Sequence, residues 1–201
     1  MAYHHGNLRT ELLARAEAVI ATDGVDALSL RSLARDIGVS HAAPGRHFPD
    51  KQDLLDALAV EGFDRLGTQL KEAASKDAAS EPTTEATSGS GAFTDRVIGT
   101  ALAYVRFATD HPALLELMHA RKHREPSADL RTASDACGVI LLGLLADSDT
   151  EIGDPERFGV ILLATLQGIA ALTAGGALPP AHHPDDLVTD AVRRLLRGST
   201  G

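Results

Sequence analysis

The chain has 201 residues, 44% hydrophobic and 23% charged, with a formal net charge of -9. That length and apolar share supply a globular core in one domain or two small ones, and exclude a disordered chain. A single cysteine, Cys137, excludes an intrachain disulfide and a cysteine-based zinc site.

The acidity at first argues against a nucleic-acid partner, but its distribution matters more than its sum. Residues 1–51 carry as many Lys and Arg (9, 15, 31, 35, 46 and 51) as Asp and Glu (11, 17, 23, 26, 36 and 50), so the whole net negative charge lies beyond residue 51. His4, His5, His41 and His47 also fall in this neutral stretch. A footprint there is weakly positive, which implies modest affinity for phosphates and strong dependence on salt. The polar N-terminus lacks the basic-then-apolar order of a secretory signal, and the lone cysteine fits a reducing cytoplasm. Abundant Ala, Gly and Arg with little Lys fit a bacterial gene rich in GC.

In chain order, Asn7 is placed to cap a first helix ending near Asp23, with Leu8, Leu12, Leu13, Ala16, Val19 and Ile20 on one face and Gly24 as its stop. Arg9 at its start is in reach of a phosphate; His4 and His5 read either as DNA-backbone neighbours or as a solvated terminus. A second helix begins after the cap Ser29. Leu30, Leu33, Ala34 and Ile37 form its inner face, while Arg31, Ser32, Arg35 and Asp36 face water. Gly38 ends it where positive φ is wanted, Val39 plugs the corner, and Ser40 caps a short third helix over His41–His47.

That spacing is a helix-turn-helix. The third helix carries Ala42, Ala43, Pro44 and Gly45 in a row, small residues that let a backbone lie deep in a DNA major groove with His41 and Arg46 as its polar reach. Phe48 pins its far end to the core and Lys51, at the start of the next helix, is the natural phosphate contact. The expected DNA-binding residues are Ser29, Arg31, Ser40, His41, Ala42, Pro44, Gly45, Arg46, His47 and Lys51.

A long fourth helix runs from Asp50 to Lys76 through Leu54, Leu55, Leu58, Phe63, Leu66 and Leu70. Residues 77–91 are Ser/Thr/Gly/Glu-rich without apolar periodicity and read as a mobile loop. Helices five (92–111), six (from Pro112), seven (127–147), eight (from Pro155, capped by Asp154) and nine (185–197) follow. Phe158 to Leu178 contains no charge and is long enough to span a bilayer. Gln167, Thr165, Thr173 and several glycines dilute it, and a polar domain precedes it. It reads instead as a helix buried on two sides, against its own domain and a partner. Ala164, Gly168, Ala171 and Gly175 permit close helix approach. Helices eight and nine from two chains then form a four-helix bundle, with Leu163, Gly168, Leu172, Val188, Val192 and Leu195 as the dimer interface.

The run GVSHAAPGRHFPDKQDLL, with YHHGNLRTELLARAEAVIATDGVDALSLRSLA before it, resembles the DNA-binding domain of TetR-family transcriptional regulators, almost without gaps over the first quarter of the chain. Residues 104–118, YVRFATDHPALLELM, resemble the C-terminal domain of one TetR subgroup, of WHG type. The resemblance implies an all-α fold of about nine helices: an HTH domain over 1–51 and a helical ligand-binding and dimerisation domain over 52–201. It further implies a homodimeric, ligand-responsive repressor; two-fold pairing calls for a palindromic operator, and an apolar, donor-poor pocket lining favours release by a small lipophilic effector. Phe63, Tyr104, Phe107, Met118 and Cys137 are the candidate lining of the effector pocket, with core packing as their plainer role. This chain departs from the family at Gly45, where members carry Tyr or Phe against the DNA backbone. Two outcomes follow: operator binding with reduced affinity, or a degenerate member acting as a protein- or ligand-interaction module.

No enzyme emerges. His119 and His123 have metal-gripping spacing but sit among Arg121, Lys122 and Arg124 without an intervening glutamate, so a solvated face is the better reading. His182 and His183 lie in a Pro-rich loop, the Gly89, Ser90, Gly91 run follows no strand, and Cys137 has no histidine nearby in sequence. No catalytic residue, metal site or cofactor is assigned.

Overall fold

A computed structural model describes residues 8–76, 89–120, 125–146 and 152–198. The expectations for His4, His5, Asn7, His123 and loop residues 77–88 lie outside the described residues. Its elements are α1 (Leu8–Asp23), a 3-10 turn (Val25–Ala27), α2 (Leu30–Asp36), a second 3-10 turn (Pro44–Arg46), α3 (Lys51–Lys76), α4 (Gly89–Asp110), α5 (Pro112–His119), α6 (Ala128–Ala146), α7 (Pro155–Ala174) and α8 (Pro184–Gly198). Among the described residues the fold is all-α, with eight α-helices against the nine expected. The missing one is the segment after Gly38, which is a turn. Conversely, Gly89 to Gly91, read from sequence as loop, open α4.

The chain folds into two compact units, Met1–Phe63 with Ala113–Ser134, and Asp64–Pro112 with Asp135–Gly201. The first extends past residue 51 and draws in a piece from the middle of the chain. Its core is the periodic face of α1 (Leu12, Leu13, Ala16, Ile20) closed by Leu28, Leu33, Ala34, Phe48, Leu54 and Leu58, all buried. α5 docks on α3 where Gly62 leaves room: a Cβ there would stand 2.8 Å from Met118 Sδ and 3.2 Å from Leu114 Cγ. Asp56, also buried, accepts from Gln52 Nε2 at 2.7 Å and from the Ser127 backbone N–H at 3.2 Å. Those donors offset the cost of burying a carboxylate.

In the second unit α4 packs against α7 and α8, burying Val97, Thr100 and Phe107 with Leu162, Val188 and Val192. Arg106 and Asp185 close the α4–α8 contact with a 2.9 Å ion pair. Asp154 caps α7 by accepting the Arg157 N–H at 2.9 Å, and Pro155 fills the first turn, where a missing N–H costs nothing. α7 is the one helix among the described residues long and apolar enough to cross a membrane, yet only 33% of that stretch is buried. One face (Phe158, Gly159, Leu162, Leu166, Ile169, Ala170) faces the core. The other is bare within a single chain, with Val160 64% and Leu172 48% exposed.

Candidate nucleic-acid interface

The helix-turn-helix lies wholly in the first unit, and α2 supplies its rigid half. Ser29 Oγ accepts the Ser32 N–H at 3.1 Å, satisfying an otherwise orphan donor at the helix start. At the other end Gly38 takes φ 75°, the left-handed conformation that costs a residue with a Cβ. Its N–H bonds Arg35 O at 3.2 Å while the Val39 N–H reaches Ala34 O at 2.9 Å, a Schellman closure. Leu33 and Ala34 between these ends have no solvent exposure.

The second half departs from the sequence expectation of a helix over 41–47 with a Ser40 cap. Ser40 contributes its backbone carbonyl, accepting the Ala43 N–H at 2.9 Å, and no side chain caps the 3-10 turn. The cause is local: Pro44 has no N–H to return to the preceding turn, and Gly45 loses more backbone freedom than any other residue on ordering. The segment is tied instead by Pro44, whose carbonyl accepts both His47 N–H and Phe48 N–H at 2.9 Å. Pro44 and Phe48 are buried, whereas His41, Ala42, Gly45, Arg46 and His47 are exposed. Pro44, expected on the DNA-facing side, is therefore an inward anchor. Among the described residues, its chain neighbours aside, a Cβ built on Gly45 meets nothing within 4 Å, so the place where family members carry an aromatic is open there.

Electrostatics sort the cations of this unit. Arg15 donates through Nε and Nη2 to Asp36 Oδ2 at 3.1 and 2.9 Å, and Arg35 stands 3.8 Å from the same carboxylate. Lys51 Nζ points to the Asp26 carbonyl at 3.5 Å. Among the described residues the side chains of Arg31 and Arg46 have no ion pair or hydrogen bond, and both are exposed. Arg9, exposed at the start of α1, lies with its guanidinium carbon 5.6 Å from the centroid of the Phe48 ring. Sequence spacing gave no sign of this pairing.

The five pocket candidates divide between the units. Phe63 and Met118 are buried in the first, where Phe63 meets the His119 ring edge-on at 6.0 Å. Tyr104, Phe107 and Cys137 are buried in the second. A groove of about 770 Å³ in the first unit is lined by none of them; Asp23, Asp26, Asp50 and Glu116 border it over an apolar floor that includes Ile20, Leu55 and Leu117. Burial pushes the Tyr104 phenol above its ordinary pKa, with the Gln167 side chain pulling it back. Burial likewise raises the Cys137 thiol, assisted by the Asp64 charge and opposed by the Gly67 backbone and Lys71. Among the described residues no group of His, Cys, Asp and Glu side chains is arranged to hold a metal ion.

The dimer candidates also divide. Gly168 and Leu172 are exposed, and Leu163 and Leu195 half-buried. Val188 and Val192 are 0% exposed, packed within their own unit. The bare residues that sequence reasoning passed over are Val160 and Ile161 on α7, with Val139 and Leu142 on α6.

Known proteins place this geometry. Residues 12–58 match the sequence model described as bacterial regulatory proteins, tetR family, and residues 97–195 match the tetracyclin repressor-like C-terminal domain. A protein of unknown function from Rhodococcus sp. RHA1 is 40% identical over 100% of both chains, with a TM-score of 0.83. A tetR-family bacterial regulatory protein from Rhodococcus RHA1 shares the fold at 19% identity, covering 95% of this chain and 96% of its own, TM-score 0.63. So does the fatty acid degradation regulator FadR from Bacillus halodurans, at 15% identity, 94% coverage of both and TM-score 0.68. No curated protein matches the chain by sequence. With its HTH unit and its C-terminal helical domain both matched, the chain belongs to the TetR family of DNA-binding transcriptional regulators.

Proposed function

We propose that this regulator is a cytoplasmic homodimeric repressor, without enzymatic activity, that presents two copies of the 40–47 turn to a palindromic operator and lets go when a small lipophilic effector binds. The observation that carries the DNA reading is the exposed turn that carries Arg46 and follows Arg31 of α2, two cations with no carboxylate partner among the described residues. Phosphates, or guanine edges that accept two N–H donors from one guanidinium, suit such groups. His41, Ala42, Gly45 and His47 complete the groove-facing surface. Ser29 and Ser40, exposed at the two starts, contribute backbone-phosphate contacts, and Lys51 joins them by leaving the Asp26 carbonyl.

The dimer reading rests on α7, whose Val160, Ile161, Ala164, Gly168, Ala171 and Leu172 face solvent in one chain. An apolar strip of this length on a soluble regulator calls for a partner, and small residues along it allow a second α7 to approach closely. The effector reading rests on Tyr104. Its buried hydroxyl, beside the Gln167 side chain, is the polar group there that a ligand would engage. Phe107 and Cys137 are the apolar companions in the same unit.

Selection of bound duplexes from a randomised pool, followed by a mobility shift at several salt concentrations, tests the DNA reading. The expected product is an inverted repeat whose half-site centres lie about 34–36 Å apart, the repeat of one helical turn, or a multiple of it. Failure to enrich any sequence would contradict it.

A further inference from the structure

We infer that Arg9, at the start of α1, is a phosphate contact of this DNA-binding unit and is held in place by a cation–π contact with the anchor of the recognition turn. The inference rests on the proposed DNA reading and adds to it a residue that lies before the matched family segment, which starts at residue 12. Three observations converge. Leu8, directly before Arg9, is buried, so the backbone at the first turn of α1 is fixed and the Arg9 side chain departs from a rigid base. Its guanidinium sits over the Phe48 ring, 5.6 Å from centroid to carbon, inside the range in which a cation is attracted to an aromatic face. Phe48 is 2% exposed and its N–H closes the 3-10 turn through Pro44 O at 2.9 Å.

An aromatic ring attracts the cation without supplying a lone-pair acceptor, so the guanidinium's N–H donors remain for an anion. Among the described residues Arg9 has no carboxylate partner, in contrast to Arg15 and Arg35, whose charges go to Asp36. A phosphate is the anion that this surface meets when the turn enters a groove. Arg9 therefore does two things at once: it covers the ring that tethers the turn, and it offers a preplaced donor fork to the backbone beside it. Lysine at this position would keep the charge but not the planar donor fork.

The test compares wild type, Arg9→Ala and Arg9→Lys by fluorescence anisotropy, on the duplex selected by wild type and on a scrambled duplex of equal length. Salt is varied over about 50–200 mM, where counterion release is read directly. Arg9→Ala is expected to weaken binding to both duplexes by a similar factor and to make the log–log salt dependence shallower by about 0.9 per protomer. Arg9→Lys is expected to restore the slope while recovering only part of the affinity. If Arg9→Ala lowers the melting temperature but leaves the salt slope unchanged, Arg9 only packs on Phe48 and the inference is overturned. If wild type binds neither duplex, the DNA reading itself falls, a result separable from a wild type that binds with an indifferent Arg9.

Discussion

α2 carries a hydroxyl cap at one end, a left-handed glycine at the other, and two residues without solvent exposure between them. The segment that follows it in the same motif, 40–47, has none of these and is held by a buried proline, a buried phenylalanine and turn bonds to the carbonyls of Ser40, Ala43 and Pro44. The first half is stable because of its own ends; the second borrows its stability from anchors that lie outside its exposed surface. Division of this kind leaves the exposed residues of the turn free to be chosen for their partner, since few of them contribute to folding.

The sharpest way to break that comparison is Phe48→Ala. Removing a fully buried aromatic costs about 3–5 kcal/mol, and chemical denaturation should register that loss together with loss of DNA binding. Gly38→Val comes next, since a β-branched residue held at φ 75° is strained by roughly 1–2 kcal/mol or more; the loss should appear in the melting temperature, and an unchanged melt would mean the corner rearranges freely. Ser29→Ala should cost about 1 kcal/mol through loss of the cap on α2, whereas Ser40→Ala, whose side chain caps nothing, should leave stability within about 0.5 kcal/mol of wild type. A smaller effect still is expected for Gly45→Tyr. With nothing among the described residues beyond its chain neighbours within 4 Å of the added Cβ, folding stability should move by no more than about 0.5 kcal/mol while operator affinity rises. Unaltered affinity in that variant would remove the proposed role of the missing aromatic.

Local signals were the legible ones. Ser29 and Gly38 announced both ends of α2, Asp154 and Pro155 the start of α7, and the apolar spacing of α1 its buried face, because each depends on residues a few positions apart. Pairing across the chain left no such trace. Arg15 meets Asp36 at 21 residues' separation, Arg9 meets Phe48 from the far side of the motif, and Ala113–Ser134 joins the first unit although its sequence resembles any amphipathic stretch. The turn at 40–47 misled for a different reason: small residues are compatible with a helix, but Pro44 followed by Gly45 removes the bond and the rigidity that a helix there needs. Val188 and Val192 show the same ambiguity on α8, where an apolar stripe cannot say whether it will face its own unit or a second chain. For α7 the all-round apolarity was readable, and the bare Val160 and Leu172 now indicate which side a partner would cover.

The central claim, that the exposed turn with its unpartnered arginines grips duplex DNA, is tested most directly by anisotropy titration of the selected duplex with wild type and Arg46→Ala. Wild type should bind with affinity that falls steeply as salt rises, and Arg46→Ala should bind about tenfold or more weakly with an unchanged melting temperature. Equal binding by the two proteins, with the fold of both intact, would contradict the account.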